Sequence, residues 1–289
     1  MRIFIDSRLR TAGTASSFRF ELNETFELPS NARVRVHDAT IPHCWRTVET
    51  GLNWQLFVIE KWADGTEHRR LIYLTPGHYG GVELAAMLKT RFSAVGDTFA
   101  GDFEGQAATS QGTTFSGSGS AYNVRYDETT GQIAIELNMQ LPCAFAILPD
   151  DQVDKTLWGV QSVQSFNRNL RISELQWNTL TSPYVSQFVD LHTIKDVYVH
   201  CPTLGFLGNI GPQAGDRNCL AKIAITEGFG FVVHSEGMHW EYGQVRGRFL
   251  LRLLDFHLRD VTGALVPLHG SDWSFALTFN DPDDAYGTA

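Results

Sequence analysis

The sequence predicts an all-β sandwich interrupted by one α+β segment. Ten or more short runs alternate apolar and polar residues with period two, the signature of half-buried strands. Gly, Pro, Asn and Asp turn signals separate these runs at short intervals. Only one stretch, about 81–95, carries apolar residues at spacings of three and four.

The elements follow in order. Ile3 to Ile5 is a short apolar strand, followed by a basic, turn-rich segment containing Arg8 and Arg10. This segment reads as an N-terminal arm that contacts a neighbouring subunit, so removing residues 1–15 is expected to impair assembly more than folding. Phe18 to Leu22 and Ala32 to Thr40 are strands joined by a Pro-Ser-Asn turn. Trp54 to Glu60 and Glu67 to Leu74 form a hairpin across Ala-Asp-Gly-Thr. A Pro-Gly turn then precedes the helix, whose apolar face is Val82, Leu84, Ala85, Leu88 and Phe92.

Residues 100–120 are rich in Gly, Ser and Thr, have no period, and read as a long surface loop. Tyr122, Val124 and Tyr126 alternate on one strand of a second hairpin; Ile133, Ile135 and Leu137 alternate on the other. Asp150, Asp151 and Asp154 suit the N-terminus of a short helix reaching Leu157. Residues 160–186 are polar and irregular. Strands resume at Asp196 to His200 and run through AKIAIT, FGFVVH and HWEYGQ. In the long strand at 248–260, Leu251, Leu253, Asp255 and His257 are placed on one face, with Leu250, Arg252, Leu254, Phe256 and Leu258 on the other. In the last strand Trp273, Phe275, Leu277 and Phe279 share a face. On this reading residues 1–73 and 187–289 form the sandwich and 74–186 the insertion.

Composition narrows the function. A chain of 289 residues buries about 75% of its unfolded surface and folds without disulfides or metals. The net charge of −9 argues against wrapping nucleic acid, which needs a basic face. Cys44, Cys143, Cys201 and Cys219 are far apart, contain no CxxC pair, and are expected to be reduced and mostly buried. The first residues are too polar for a secretory signal, and no apolar run approaches the roughly 20 residues of a membrane span. A soluble protein made in the cytosol is expected.

Sites that could carry chemistry are few. His234 and His239 lack the H-x-H spacing of cupin metal sites and the HExxH pattern. His43 and Cys44 are adjacent, so in a strand they point to opposite faces. Asp281, Asp283 and Asp284 have no ordered loop glycine or closing Glu for Ca²⁺ and read as a solvated tail. Neither GxGxxG nor a P-loop occurs. Trp62 and Trp177, at predicted turn edges, are candidate interface anchors, since aromatic residues concentrate at interface cores.

Three ordered pieces carry a family resemblance. They are IDSRLRTAGTASSFRFEL with LPSNARVRVHDATIPHCW, LTPGHYGGVELAAMLKTRF with YNVRYDETTGQIAIEL, and LLRLLDFHLRDVTGALVPLHGSDWSFALTF. Together they resemble the penton, or minor capsid, proteins of virophages and Polinton-like double-stranded DNA viruses, over nearly the whole chain. The resemblance implies a single jelly roll of two four-stranded sheets and five copies around an icosahedral vertex of the virion. It implies a double jelly-roll major capsid protein as partner, with room for a spike or fibre. It implies no catalytic residue, metal or cofactor. A glycan- or receptor-binding spike module is the alternative, and a cupin-type metal enzyme a more distant one.

Overall fold

The computed structural model describes residues 1–29, 32–93, 121–138, 142–204, 211–212, 218–236, 243–245 and 249–280. The chain divides into two compact units: Met1–Trp45 with Ile194–Ala289, and Arg46–Thr193. The first unit opens with β1 (Arg2–Asp6), a 3-10 turn at Ser7–Leu9, β2 (Ala12–Thr14), β3 (Ser17–Leu28) and β4 (Arg33–Pro42).

The second unit holds β5 (Gln55–Lys61), β6 (Glu67–Tyr73), α1 (Gly81–Ser93), β7 (Tyr122–Asp127), β8 (Gln132–Leu137) and β9 (Ala144–Ile147). It ends with the one-turn α2 (Asn167–Leu170), β10 (Asn178–Thr179) and β11 (Tyr184–Val185). The chain then returns to the first unit through β12 (Asp196–His200), β13 (Cys219–Ala224), β14 (Val232–Glu236), β15 (Gly243–Gln244), β16 (Phe249–Arg259) and β17 (Ser274–Asn280).

In the first unit one sheet runs β1-β17-β4-β14, with β15 also on β4, and the other runs β13-β12-β16-β3-β2. All of these neighbours pair antiparallel. Leaving aside β2 and β15, this order is that of a single eight-stranded jelly roll. The 148 residues of the second unit enter between its third and fourth strands, β4 and β12.

Aromatic rings fill the space between the sheets. Trp273 stacks on Phe275 at 4.6 Å between centroids, Phe275 meets Phe256 edge-on at 4.9 Å, and Phe18 lies 5.5 Å from Phe256. The indole Nε1 of Trp273 donates to Ala15 O at 2.8 Å, so its one polar atom is satisfied in the core. Leu277 and Phe279 are buried with Trp273 and Phe275, as their alternation predicts.

The second unit is built on a different plan. One sheet runs β10-β9-β5-β6 and another β11-β8-β7. The predicted hairpin is observed, with Tyr122 facing Leu137, Val124 facing Ile135 and Tyr126 facing Ile133. Leu84, Ala85, Leu88 and Phe92 of α1 join Leu56, Val58, Ile72, Tyr122 and Ile135 in one core. Phe57 and Leu71 pack on the opposite side with Leu148, Val153 and Trp158. With both faces covered, β5 carries an almost continuous apolar run rather than a clean alternation.

Glu83 caps the helix start, its Oε2 accepting from Gly80 N–H at 2.6 Å. Arg70 closes its end, donating to Phe92 O at 2.6 Å and Arg91 O at 2.9 Å.

Several expectations are corrected. The unit boundaries fall after Trp45 and after Thr193, not at 73 and 186. The hairpin β5–β6 belongs with the insertion because β5 pairs with β9. The basic segment is tied to the sandwich: it follows β1, which pairs along its length with β17, and its Ser7 and Arg10 side chains both donate to Asp272. No α-helix spans 151–157. Asp150–Gln152 is a 3-10 turn, and Asp154 Oδ1 accepts from Thr156 and Leu157 N–H to close the next one.

In β16 a register shift between Leu251 and Leu253 lets Leu251 point inward together with Leu254, Phe256 and Leu258, while Leu250 and Leu253 are exposed. Val82 lies off the helix's buried face and is exposed, and Gly81 takes its place against Tyr126.

Candidate functional site

Arg8 and Arg10 flank the 3-10 turn after β1. Ser7 is buried and anchors the turn: its N–H donates to Trp273 O at 2.9 Å, its hydroxyl donates to Asp272 Oδ1 at 2.7 Å, and it accepts from Trp273 N–H at 3.0 Å. Arg10 Nη1 donates to Asp272 Oδ1 at 2.8 Å and to Ser7 O at 2.6 Å, so its head group is committed to holding the turn. Arg8 reaches back to Asp6 at 2.5 Å, but 73% of its side chain is exposed. The hydrogen bonds from Arg8 hold the Asp6 carboxyl below the usual carboxylate range. Two exposed apolar residues lie nearby in the chain, Phe4 on the outward side of β1 and Leu9 within the turn. Sequence reasoning missed both, although Phe4 alternates with Ile3 and Ile5 and must therefore face outward.

Trp62 and Trp177 both lie in the second unit. Trp62 follows β5 and meets His68 edge-on at 5.3 Å. Trp177 precedes β10, is 37% exposed, and carries the Lys61 ammonium 5.6 Å from its ring centroid. The pairing of β10 to β9 and of β9 to β5 puts Thr179 in the cross-strand row of Ala144 and Lys61 and Asn178 in that of Phe145 and Glu60. From Leu175 to Val189 the sequence has no charged residue, and Leu175, Leu180, Val185 and Phe188 are exposed there with Trp177. This apolar segment was legible only as a polar, irregular stretch, because its strands are two residues long.

His43 and Cys44 are held in separate contacts. His43 lies 4.4 Å from the Trp45 ring, and its Nδ1 donates to Glu227 O at 2.7 Å. Cys44 Sγ donates instead to Leu268 O at 3.1 Å. His234 is exposed and touches the Thr40 hydroxyl at 3.2 Å. His239, the loop at 100–120, and Asp281, Asp283 and Asp284 lie outside the described residues. Among the described residues no group of three His, Cys, Asp or Glu is placed to hold a metal ion.

None of the four cysteines, all described, is in a disulfide; Cys201 and Cys219 are buried, while Cys44 and Cys143 are half-buried. Burial pushes the Cys201 thiol up to about 12, which leaves it unreactive. No described helix is long and apolar enough to cross a membrane.

The fold therefore defines the class: a single jelly-roll β-sandwich carrying an inserted α+β unit. No protein-family model and no curated protein sequence matches the chain. Among solved structures, the crystal structure of the SeMet-labeled mavirus penton protein is similar over 97% of this chain and 99% of that one, with a TM-score of 0.47 and 10% identity.

Proposed function

We propose that the chain is a structural capsid subunit, the penton at the icosahedral vertices of a double-stranded DNA virus. The observation that carries this reading is the strand order. The two motifs at the ends of the chain that resemble penton proteins supply strands of one jelly roll, the end of β1 with β3 and β4 from the first and β16 and β17 from the last. The helix and hairpin motif falls in the inserted unit. On this reading five copies close a ring through heterologous contacts, in which one patch meets a different patch on the next copy. The ring contacts a double jelly-roll major capsid protein, and the chain is found in the virion and performs no turnover.

Arg8 and Arg10 from the first unit and Trp62 and Trp177 from the second are the proposed contact residues. The uncharged segment around Trp177 has the composition of an interface core, depleted in charge and rich in apolar side chains. Substituting Trp177→Ala and Phe188→Asp together is expected to leave the melting temperature within about 2 °C, because both side chains are exposed. Sedimentation of the same protein should show fewer oligomers. Unchanged assembly would remove this segment from the interface.

A further inference from the structure

Two exposed apolar patches sit on opposite edges of one jelly-roll sheet. On β1 and the turn after it, Phe4 is 71% exposed and Leu9 is exposed as well. At the start of β14, Phe231 is 66% exposed and Val232 is exposed beside it. β1 and β14 end the sheet on its two sides; among the described residues β1 pairs only with β17 and β14 only with β4. Backbone bonds hold the Phe231 turn in place: His43 N–H donates to Phe231 O at 2.9 Å, and Gly230 N–H donates to His43 O at 2.8 Å. An apolar side chain on a backbone already ordered loses little freedom on binding.

The register sets both patches at one height. Asp6, Ser274, Thr40 and His234 form one cross-strand row. Leu9 lies just past Asp6, and Val232 and Phe231 lie just before His234, so both sit beyond this row at the same end of the sheet. A rotation about an axis along the strands carries one copy onto the next without changing height, so the two patches can meet at every junction of a ring. The charges beside them differ in sign. Arg2 and Arg8 are exposed on the β1 edge, where Asp6, paired with Arg8, is the one carboxylate. Glu227 and Glu236 are exposed on the β14 edge, with no Lys or Arg between them in the sequence. A two-fold contact would set each edge against its own sign, whereas a head-to-tail contact sets basic against acidic. We propose that the β1 edge of one copy receives the β14 edge of a second copy, with Phe4 and Leu9 packed against Phe231 and Val232. This contact presupposes the ring proposed above and names the two edges that close it.

Mixing two broken copies tests it. One full-length variant carries Phe4→Asp with Leu9→Asp, the other Phe231→Asp with Val232→Asp. All four side chains are exposed, so each variant should melt within about 2 °C of the parent. If a double variant melts lower, Phe4→Asp or Phe231→Asp alone takes its place. Each variant by itself should assemble only at a concentration at least about tenfold higher than the parent. An equimolar mixture, with one variant isotope-labelled, should give a two-chain species holding one copy of each in native mass spectrometry, because one junction keeps both edges intact. A variant that assembles like the parent, a mixture without the mixed pair, or a two-chain species from either variant alone overturns the proposed contact while the ring stands. A parent that stays monomeric overturns the contact and the ring together.

Discussion

At the residue scale, the most constrained group is the buried triad of Glu60, Arg70 and Tyr122 in the inserted unit. The Tyr122 hydroxyl donates to Glu60 Oε1 at 2.7 Å, and Arg70 Nη1 approaches the same oxygen at 3.3 Å. Both charged side chains are more than nine-tenths buried. Burial and the neighbouring Glu60 carboxylate together push the Tyr122 hydroxyl well above its ordinary range, so it stays a donor. Arg70 also holds the two carbonyls at the end of α1, so one side chain ties β6, β5 and the helix together.

Removing one partner of a buried pair strands the other charge and typically costs about 3–5 kcal/mol. Arg70→Met is therefore expected to destabilise the protein by that order in a denaturant titration. Adding Glu60→Gln should recover part of the loss. A cost below about 1 kcal/mol would mean that the pair is solvated. The triad is not legible in the sequence: nothing in the hairpin pattern marks Glu60 and Arg70 as buried, and the ties to Tyr122 and to the end of α1 appear only in the fold.

At the scale of elements, β1 is the clearest departure from the sequence reading. Its two buried residues, Ile3 and Ile5, were visible as a strand, yet the basic residues after them suggested an arm. The structure makes β1 an edge strand of the jelly roll, locked by Ser7 against Asp272 and Trp273. Truncating residues 1–15 is accordingly expected to abolish cooperative folding rather than assembly alone. Ile5→Ala, a milder change, should cost about 2–5 kcal/mol. A truncated chain that melts like the parent would restore the arm.

Elsewhere the alternation read correctly, as in the 122–137 hairpin, where local turn chemistry and period two agree. Asp127 Oδ1 accepts from Thr129 N–H at 2.8 Å, and Gly131 adopts positive φ. It failed at the irregularity in β16, because a bulge changes which side chains face inward without changing composition. It also failed for β10 and β11, which are too short to show a period.

At the scale of the whole molecule, the order of strands was legible but the unit boundary was not. The hairpin at 55–73 continues the β pattern of the first 45 residues, and no compositional break marks Trp45. Only the pairing of β5 with β9 assigns it to the inserted unit. The proposed contact residues differ in how free they are: Trp177 carries the Lys61 ammonium, Arg10 is occupied by Asp272, and Arg8 is the exposed cation beside it.

The central claim is that this jelly roll is a penton, and the mass of the assembled chain bears on it most directly. Native mass spectrometry of the purified protein, with cryo-electron microscopy of particles carrying it, should give a fivefold multiple of the subunit mass and density for the jelly roll at the vertices. A chain that stays monomeric and is absent from the vertices would contradict the account.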